Sequence, residues 1–174
     1  MTSVTAAERF VYSFAEATHL DAAALGGKGA GLVQMTAAGF PVPPGFVIST
    51  QACRVSKDGA VPEALWREIV QAVHQLEERT GCGFGKGPRP LLVSVRSGAP
   101  VSMPGMMDTV LNLGMNEETT VALAKATGGR YRFAAETFAR FARMFADIVL
   151  GAADESAADG ASLDTVEDER SLRS

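Results

Sequence analysis

The fold is decided by the stretch Leu91-Leu92-Val93-Ser94-Val95-Arg96-Ser97-Gly98, which is followed closely by Ser102-Met103-Pro104-Gly105-Met106-Met107-Asp108-Thr109. An apolar run that ends in one arginine predicts a buried strand. The glycine- and methionine-rich residues after it predict a loop. The strand would therefore hold the cationic residue Arg96 in a fixed position next to a flexible loop that can cover a ligand. Such an arrangement is suited to holding a polyphosphate, because a guanidinium grips phosphate oxygens with planar, bidentate donors.

A second cation lies among glycines in Leu25-Gly26-Gly27-Lys28-Gly29-Ala30-Gly31, at the start of a predicted helix. Glycines let the backbone come close to an anion, and the start of a helix favours negative charge. The stretch is not a P-loop, because Gly29 stands where Ser or Thr must reach the metal and Ala22 where the first glycine is needed. A surface lysine on a glycine turn is the alternative interpretation of Lys28.

Composition limits the function classes. A chain of 174 residues with 47% apolar content can bury the core of one domain, which we expect at residues 1–150. Residues 151–174 carry seven acids against two arginines and lack periodicity, so they predict an acidic, disordered tail. The remaining residues have a net charge near zero, which predicts no binding of nucleic acid as a polymer.

The cysteines and the chain start bear on the cellular location. Cys53 and Cys82 are unclustered and have no histidines at metal-ligand spacing, so neither a disulfide framework nor a metal site is predicted. Residues 1–9 lack the basic and apolar regions of a signal peptide, and no window approaches the roughly 20 apolar residues of a membrane span. We expect a cytoplasmic protein without a membrane partner.

Strands and helices alternate along the predicted domain. Strands are predicted over 10–14, 46–48, 91–95 and 109–113. Helices are predicted over 27–38, from Pro62 in a first turn until Gly81 stops the run, over 117–126, and over about 130–150. Ser49 or Thr50 is expected to cap a short helix that runs through Arg54. The apolar stripes of the two long helices are predicted at Leu65, Trp66, Ile69, Val70, Val73 and Leu76, and at Phe138, Phe141, Phe145 and Ile148. Spacing by four predicts the pairs Glu136–Arg140 and Arg143–Asp147.

Four segments carry a family resemblance: LGGKGAGLVQM at 25–35, PVPPGFVIST at 41–50, PLLVSVRSGA at 90–99 and SMPGMMDTVLNLGMN at 102–116. Together they resemble the N-terminal nucleotide-binding segment of pyruvate, phosphate dikinase, from about Phe10 to about Leu150. The SMPGMMDT segment separates this family from the related phosphoenolpyruvate synthases. One departure is Pro100-Val101, where the family has Arg-Ala, so a basic side chain beside the phosphates is missing. The resemblance implies an α/β fold, the N-terminal subdomain of an ATP-grasp-like nucleotide-binding domain.

The resemblance also implies a set of site residues. Lys28 matches the family lysine that contacts nucleotide phosphates, and Arg96 matches an arginine of the ATP site, which we take as the candidate catalytic residue. The following segment closes over the phosphates in the family, which adds the candidates Ser97, Gly98, Gly105, Met106, Asp108 and Thr109. The alternatives are a structural salt bridge for Arg96, core packing for the methionines, and turn capping for Asp108 and Thr109.

The family reaction needs more than these residues. The resemblance implies that ATP and phosphate become AMP and pyrophosphate while a distant histidine is phosphorylated, and that this phosphate then converts pyruvate to phosphoenolpyruvate with Mg²⁺ present. His19 and His74 lie in no similar motif, and the acidic metal ligands are expected in the other ATP-grasp half. We therefore predict the ATP–Mg-binding part of a phosphotransferase, completed by a partner chain with that half and the phosphohistidine domain. The alternative is a stand-alone, non-catalytic module that binds a nucleotide or a partner, so whether the chain is itself an enzyme stays open.

Overall fold

A computed structural model describes residues 9–56, 60–97 and 109–151, and these residues form helices and three two-stranded sheets. The mixed helix and strand content of the predicted α/β fold is therefore confirmed. The chain divides into two compact units: residues 9–56 and 60–80 belong to the first, residues 81–97 and 109–151 to the second. The predicted acidic tail falls on residues that, Gly151 excepted, lie outside the described ranges.

The first unit contains one antiparallel sheet and three helices. Strand β1 is Val11–Ser13 and β2 is Phe46–Ile48, with Tyr12 opposite Val47. A short 3₁₀ helix covers Glu16–His19, and the helices are α1 (Ala22–Ala37), α2 (Gln51–Val55) and α3 (Glu63–Thr80). The predicted strands at both places are confirmed.

Two apolar clusters hold this unit together. One consists of Phe10, Val11, Ala52, Leu65 and Ala72, and the other of Ala17, Leu25, Ala30, Val33 and Val47. The first packs α3 and α2 beneath β1, and the second packs α1 against β2. Burying these side chains supplies the main stabilising free energy of the unit, because apolar area is removed from water.

Helix α3 also holds the start of β1 by hydrogen bonds. The Glu68 carboxylate accepts from the backbone amides of Phe10 at 2.8 Å and Val11 at 2.9 Å.

Part of the apolar stripe predicted for α3 is wrong, since Trp66 is 56% exposed and Val70 36% exposed. Leu65 and Leu76 are buried as predicted, and Ala72 takes the third buried position.

The second unit contains two small sheets and two helices. Its strands are β3 (Gly83–Phe84), β4 (Pro90–Leu91), β5 (Val93–Arg96) and β6 (Thr109–Leu113), where β3 pairs with β4 in parallel and β5 with β6 antiparallel. Helix α4 is Glu117–Ala126 and α5 is Tyr131–Phe145, which continues as a π-helical turn, Ala146–Leu150. The predicted bounds of β6 and α4 are confirmed residue for residue.

The β5–β6 pair contains an irregularity in register. Val93 faces Leu113, whereas Val95 faces Val110, so β6 has one extra residue between these pairs. Asn112 lies in this bulge with φ 59°, in the left-handed region that asparagine tolerates better than most residues. The bulge lets the second half of the pair keep a register in which Arg96 faces Thr109.

Two predictions about side chains of this unit are wrong. The apolar strand predicted over 91–95 is broken at Leu92 and is not buried, since Val95 is 47% exposed in a sheet of two strands. On α5, Glu136 pairs with Arg132 at 2.9 Å instead of Arg140. A carboxylate can reach four residues in either direction along a helix, so spacing alone does not choose between the two arginines.

The stripe of aromatic residues on α5 forms a row of ring contacts. The ring centres of Phe138 and Phe141 are 6.5 Å apart, and those of Phe141 and Phe145 are 5.7 Å apart.

Within the described ranges, no helix is long and apolar enough to cross a membrane. Cys53 and Cys82 form no disulfide bond.

Candidate functional site

The glycine segment around Lys28 is positioned by a break in α1. Gly26 has φ 70° and ψ 159°, which no right-handed helix contains, so a first turn ends at Leu25 and a second helix begins at Gly27. The Asp21 carboxylate caps the first turn by accepting from the Ala24 amide at 2.8 Å. Lys28 is therefore the second residue of a new helix, as the sequence predicted.

Thr50, at the end of β2, completes this break. Its hydroxyl donates to the Ala23 carbonyl at 2.8 Å, and its amide donates to the Ala24 carbonyl at 2.8 Å. In an unbroken helix these two carbonyls would accept from the amides of Gly27 and Lys28. The predicted cap of α2 by Ser49 or Thr50 is wrong, because neither hydroxyl bonds to an amide of that helix.

The glycines around Lys28 have two different surroundings. A Cβ built on Gly29 would lie 3.1 Å from Cγ1 of Val47, so Gly29 lets the helix approach β2. A Cβ on Gly27 or Gly31 would meet no described atom within 4 Å. Gly27, Lys28 and Gly31 share one side of the helix by their spacing of one, three and four residues. We call these three residues the glycine face.

Lys28 itself has no internal partner among residues that the structure describes. Its side chain is half-buried and forms no ion pair or hydrogen bond with them. The first amides of a helix lack acceptors within the helix, and the helix dipole is positive at this end. The Lys28 ammonium group and the positive end of the helix dipole repel each other. An anion bound there would therefore stabilise both the ammonium group and the first amides of the helix.

Arg96 is the last residue of β5, and its side chain is exposed. It forms no ion pair or hydrogen bond with another described residue, so the alternative of a structural salt bridge finds no partner in those ranges. The strand holds the backbone of Arg96 in register with Thr109. A guanidinium fixed at its base and open at its tip can bind an external anion.

The structure brings together Arg96 and Thr109, which the sequence predicted separately. These two residues, which precede and follow the segment 97–108, are cross-strand partners. Ser97 follows β5 and is exposed. Gly98, Gly105, Met106 and Asp108 lie outside the described residues, as do Pro100-Val101. Lys28 belongs to the first unit and Arg96 to the second.

Each of the two histidines has its Nδ1 atom close to an oxygen of a neighbouring residue. The Nδ1 atom of His19 lies 2.9 Å from the Glu16 carbonyl, and that of His74 lies 2.9 Å from the Glu77 carboxylate. His74 is largely exposed on α3. Over residues 9–56, 60–97 and 109–151, no group of three or more His, Cys, Asp or Glu side chains could hold a metal ion.

The sequence is similar to several known enzymes over most of its length. It is 48% identical over 147 residues to the pyruvate, phosphate dikinase of Entamoeba histolytica, a match that covers 83% of this chain and 16% of that protein. It is 53% identical over 128 residues to the chloroplastic pyruvate, phosphate dikinase 1 of Zea mays, covering 72% of this chain and 13% of the relative. The chain is homologous to the pyruvate, phosphate dikinases. The predicted resemblance is confirmed.

Further matches agree with this relationship. The dikinase of Rhizobium meliloti is 46% identical over 149 residues, which cover 82% of this chain and 16% of the relative. The chain thus spans only 13–16% of the length of these dikinases. No protein-family profile matches the chain. The match to the dikinase of Entamoeba histolytica covers 83% of the 174 residues. Wherever this matched region begins in the chain, it therefore includes both Arg96 and Thr109.

Proposed function

We propose that this chain supplies phosphate-binding residues to the ATP site of a phosphotransferase of the pyruvate, phosphate dikinase type. In this proposal it is the N-terminal subdomain of an ATP-grasp-like domain. The observation that carries the proposal is the 46–53% identity to dikinases from an amoeba, a plant and a bacterium. The described geometry supports it, because both candidate cations lack internal partners and are placed at the ends of regular elements.

Lys28 is assigned to the phosphate chain of ATP. The glycine face leaves room for close approach, and the helix that begins at Gly27 adds backbone amides and a favourable dipole. An ammonium group neutralises phosphate charge as a point charge without fixed geometry. Lys28 is therefore suited to attracting and holding the nucleotide rather than to orienting one oxygen.

Arg96 is assigned to the phosphoryl group that reacts. A guanidinium donates two parallel hydrogen bonds to phosphate oxygens, and donors held in place stabilise negative charge that develops during transfer. The pairing of Arg96 with Thr109 fixes its backbone, which reduces the movement needed when substrate binds. The hydroxyl of Thr109 and the residues of segment 97–108 are assigned to further phosphate oxygens.

The described residues fit the nucleotide better than they fit its metal. Mg²⁺, when bound with ATP, would neutralise clustered phosphate charge and align the phosphates for transfer. Oxygen ligands are required for this ion, and the described ranges offer no cluster of acids that could hold it. We therefore assign the metal ligands and the phosphorylated histidine to a partner chain or a further domain. A cytoplasmic location is part of the proposal and rests on the sequence alone, whereas the maize relative is named as chloroplastic.

Calorimetric titration of the 174-residue chain with ATP and magnesium tests the proposal. We expect Arg96→Ala to weaken ATP binding by about 1.5–3 kcal/mol, the range for hydrogen bonds to charged groups. Arg96→Lys should restore only part of this loss, because a point charge cannot grip two oxygens in a plane. The melting temperature should stay the same in both variants, since the side chain is exposed.

Arg140→Ala is the matched control. Arg140 is also an exposed arginine of the second unit, on α5, and should affect neither ATP binding nor stability. Equal ATP affinities for Arg96→Ala and Arg140→Ala would remove Arg96 from the site.

A further inference from the structure

Helix α1 is interrupted at a single residue, Gly26. Its φ of 70° and ψ of 159° lie in a region of backbone angles that is essentially restricted to glycine. The residues on both sides of it are helical, and glycine can also adopt helical angles. Rotation of Gly26 alone would therefore join the two parts of α1 into one continuous helix.

Thr50 is bonded to this interruption and does not cap the helix that follows it. Its backbone angles, φ −59° and ψ −20°, are helical, whereas a residue that caps a helix start is normally extended. Its side chain makes no capping hydrogen bond to α2. The hydroxyl and the amide of Thr50 bond instead to the carbonyls of Ala23 and Ala24, each at 2.8 Å. Both donors of this residue therefore hold the first turn of α1.

The interrupted and the continuous form of α1 use these two carbonyls differently. In a continuous helix, the carbonyls of Ala23 and Ala24 would accept from the amides four residues later, those of Gly27 and Lys28. In the interrupted form Thr50 supplies both donors, so each form has the same number of hydrogen bonds at these carbonyls. The forms differ in the donors that they leave available. The amides of Gly27 and Lys28 can bind an external acceptor only in the interrupted form.

Apolar packing also favours the interrupted form. Leu25 is 4% exposed and Ala30 is 8% exposed, and both belong to the same buried cluster. In a continuous helix, residues five positions apart point in directions about 140° apart, so Leu25 and Ala30 would face different sides. Burial of Leu25 and the hydrogen bonds of Thr50 therefore act together. Removal of the Thr50 hydroxyl weakens one of these two contributions.

We propose that Thr50 is a positioning residue for the proposed phosphate site. By occupying the carbonyls of Ala23 and Ala24, it keeps the amides of Gly27 and Lys28 available to phosphate oxygens. The role at the phosphates rests on the proposed function, whereas the hold of Thr50 on the interruption does not. A ligand that accepts from these amides binds the interrupted form alone, so it stabilises the same arrangement that Thr50 holds.

Exchange of amide hydrogens with solvent tests the hold on α1 without a nucleotide. In Thr50→Val the Ala23 carbonyl loses its donor, and we expect the Gly27 amide of the full chain to exchange at least about twofold more slowly, because it bonds to that carbonyl instead. Gly26→Ala should slow the exchange of Gly27 and Lys28 more strongly, because alanine is excluded from the angles of the interruption. A role in stability alone would have the opposite sign, since a loosened helix exchanges its amides faster. NMR spectra of the ¹⁵N-labelled chain report each amide separately.

Calorimetric titration of the full chain with ATP and magnesium tests the role at the phosphates. Thr50→Val should weaken ATP binding about two- to tenfold, the effect of one hydrogen bond. Thr50→Ser keeps the hydroxyl and should bind ATP like the parent. Thr36→Val is the matched control, because the Thr36 hydroxyl donates to the Leu32 carbonyl of the same helix at 2.8 Å, away from the interruption. Its loss should change neither ATP binding nor the exchange of the Gly27 amide.

Each part of the proposal can be overturned separately. An unchanged or faster exchange of the Gly27 amide in Thr50→Val would overturn the hold on α1. Equal ATP affinities of Thr50→Val and the parent would overturn the role at the phosphates, as would an equal loss of affinity in Thr36→Val. A parent chain that binds no ATP but shows the expected exchange would contradict the proposed function and support the hold of Thr50 on α1.

Discussion

Replacement of Gly31 by alanine should change the stability of the protein and its affinity for ATP in opposite directions, and so tests the role of the glycine face. Gly31 lies in the interior of the helix that begins at Gly27, where glycine costs roughly 0.5–1 kcal/mol relative to alanine. An added Cβ would meet no described atom within 4 Å, so no clash offsets the gain. Gly31→Ala should therefore raise the free energy of unfolding by about 0.5–1 kcal/mol, or the melting temperature by about 1–4 °C.

Gly29→Ala is the matched control in the same helix. Its Cβ would lie 3.1 Å from Cγ1 and 3.4 Å from Cγ2 of Val47, a buried, β-branched residue that cannot change rotamer easily. Overpacking of this kind costs about 1–3 kcal/mol, which exceeds the gain in helix propensity. Gly29→Ala should thus be neutral to destabilising by up to about 2 kcal/mol, and in either case less stable than Gly31→Ala.

The functional measurement uses the same two proteins with ATP and magnesium. If the glycine face admits phosphates, a methyl group at Gly31 should weaken ATP binding although the protein is more stable. Thermal melts and calorimetric titrations on the 174-residue chain measure the two effects. An unchanged ATP affinity in Gly31→Ala would show that this face does not approach the nucleotide. A lowered melting temperature in the same variant would refute the open space at Gly31.

Four further predictions concern other parts of the chain. Because the chain spans 13–16% of the dikinases it matches, it should make no phosphoenolpyruvate from pyruvate, ATP and phosphate; turnover above a blank without enzyme in a coupled assay would contradict this. Asn112→Ala should lower the free energy of unfolding by about 1–2 kcal/mol in urea titrations, because alanine tolerates a φ of 59° poorly, whereas Asn112→Gly should stay close to the parent. Glu68→Ala should cost about 1–3 kcal/mol by leaving the amides of Phe10 and Val11 without their acceptor, and Glu68→Gln should cost less; equal urea midpoints for both would exclude that role. Hydrogen bonds from the Ser13 hydroxyl and amide, with the Arg9 guanidinium, lower the pKa of Glu16 below its usual 4.5, so the stabilisation it gives is present above that pH and is lost as the pH falls further. Melting curves of Glu16→Gln should therefore show a weaker loss of stability in acid than those of the parent, and parallel losses would argue against it.

Elements with strong local signals could be predicted from the sequence. Helix α4 begins after Asn116, whose side chain accepts from the Thr119 amide while the Thr119 hydroxyl accepts from the Asn116 amide. It ends before Gly128 and Gly129, both with positive φ. Each of these signals lies within a few residues of the boundary it sets, so pattern reasoning finds it.

Features that depend on contacts distant in sequence could not be predicted. Ser49 or Thr50 was expected to cap α2, the next helix, yet the hydroxyl and amide of Thr50 bond to the carbonyls of Ala23 and Ala24. The partners lie 27 and 26 residues earlier, and no local pattern encodes that distance. The apolar strand that ends at Arg96 was expected to be buried, but Val95 is 47% exposed. Hydrophobic residues show that a segment can be buried, but not which element covers it.

The same distant contacts explain how a helix can begin in the middle of a glycine-rich run. A break at Gly26 would leave the carbonyls of Ala23 and Ala24 without the amides of Gly27 and Lys28, and unpaired backbone groups are costly. Thr50 replaces both amides, so β2 stabilises the break. The helix can then start at Gly27, where its first amides have no acceptor within the helix. The sequence places Lys28 at that start, and the end of β2 makes the start possible. The stability of the strand pair β1–β2 and the geometry of the proposed phosphate site are therefore linked through one threonine.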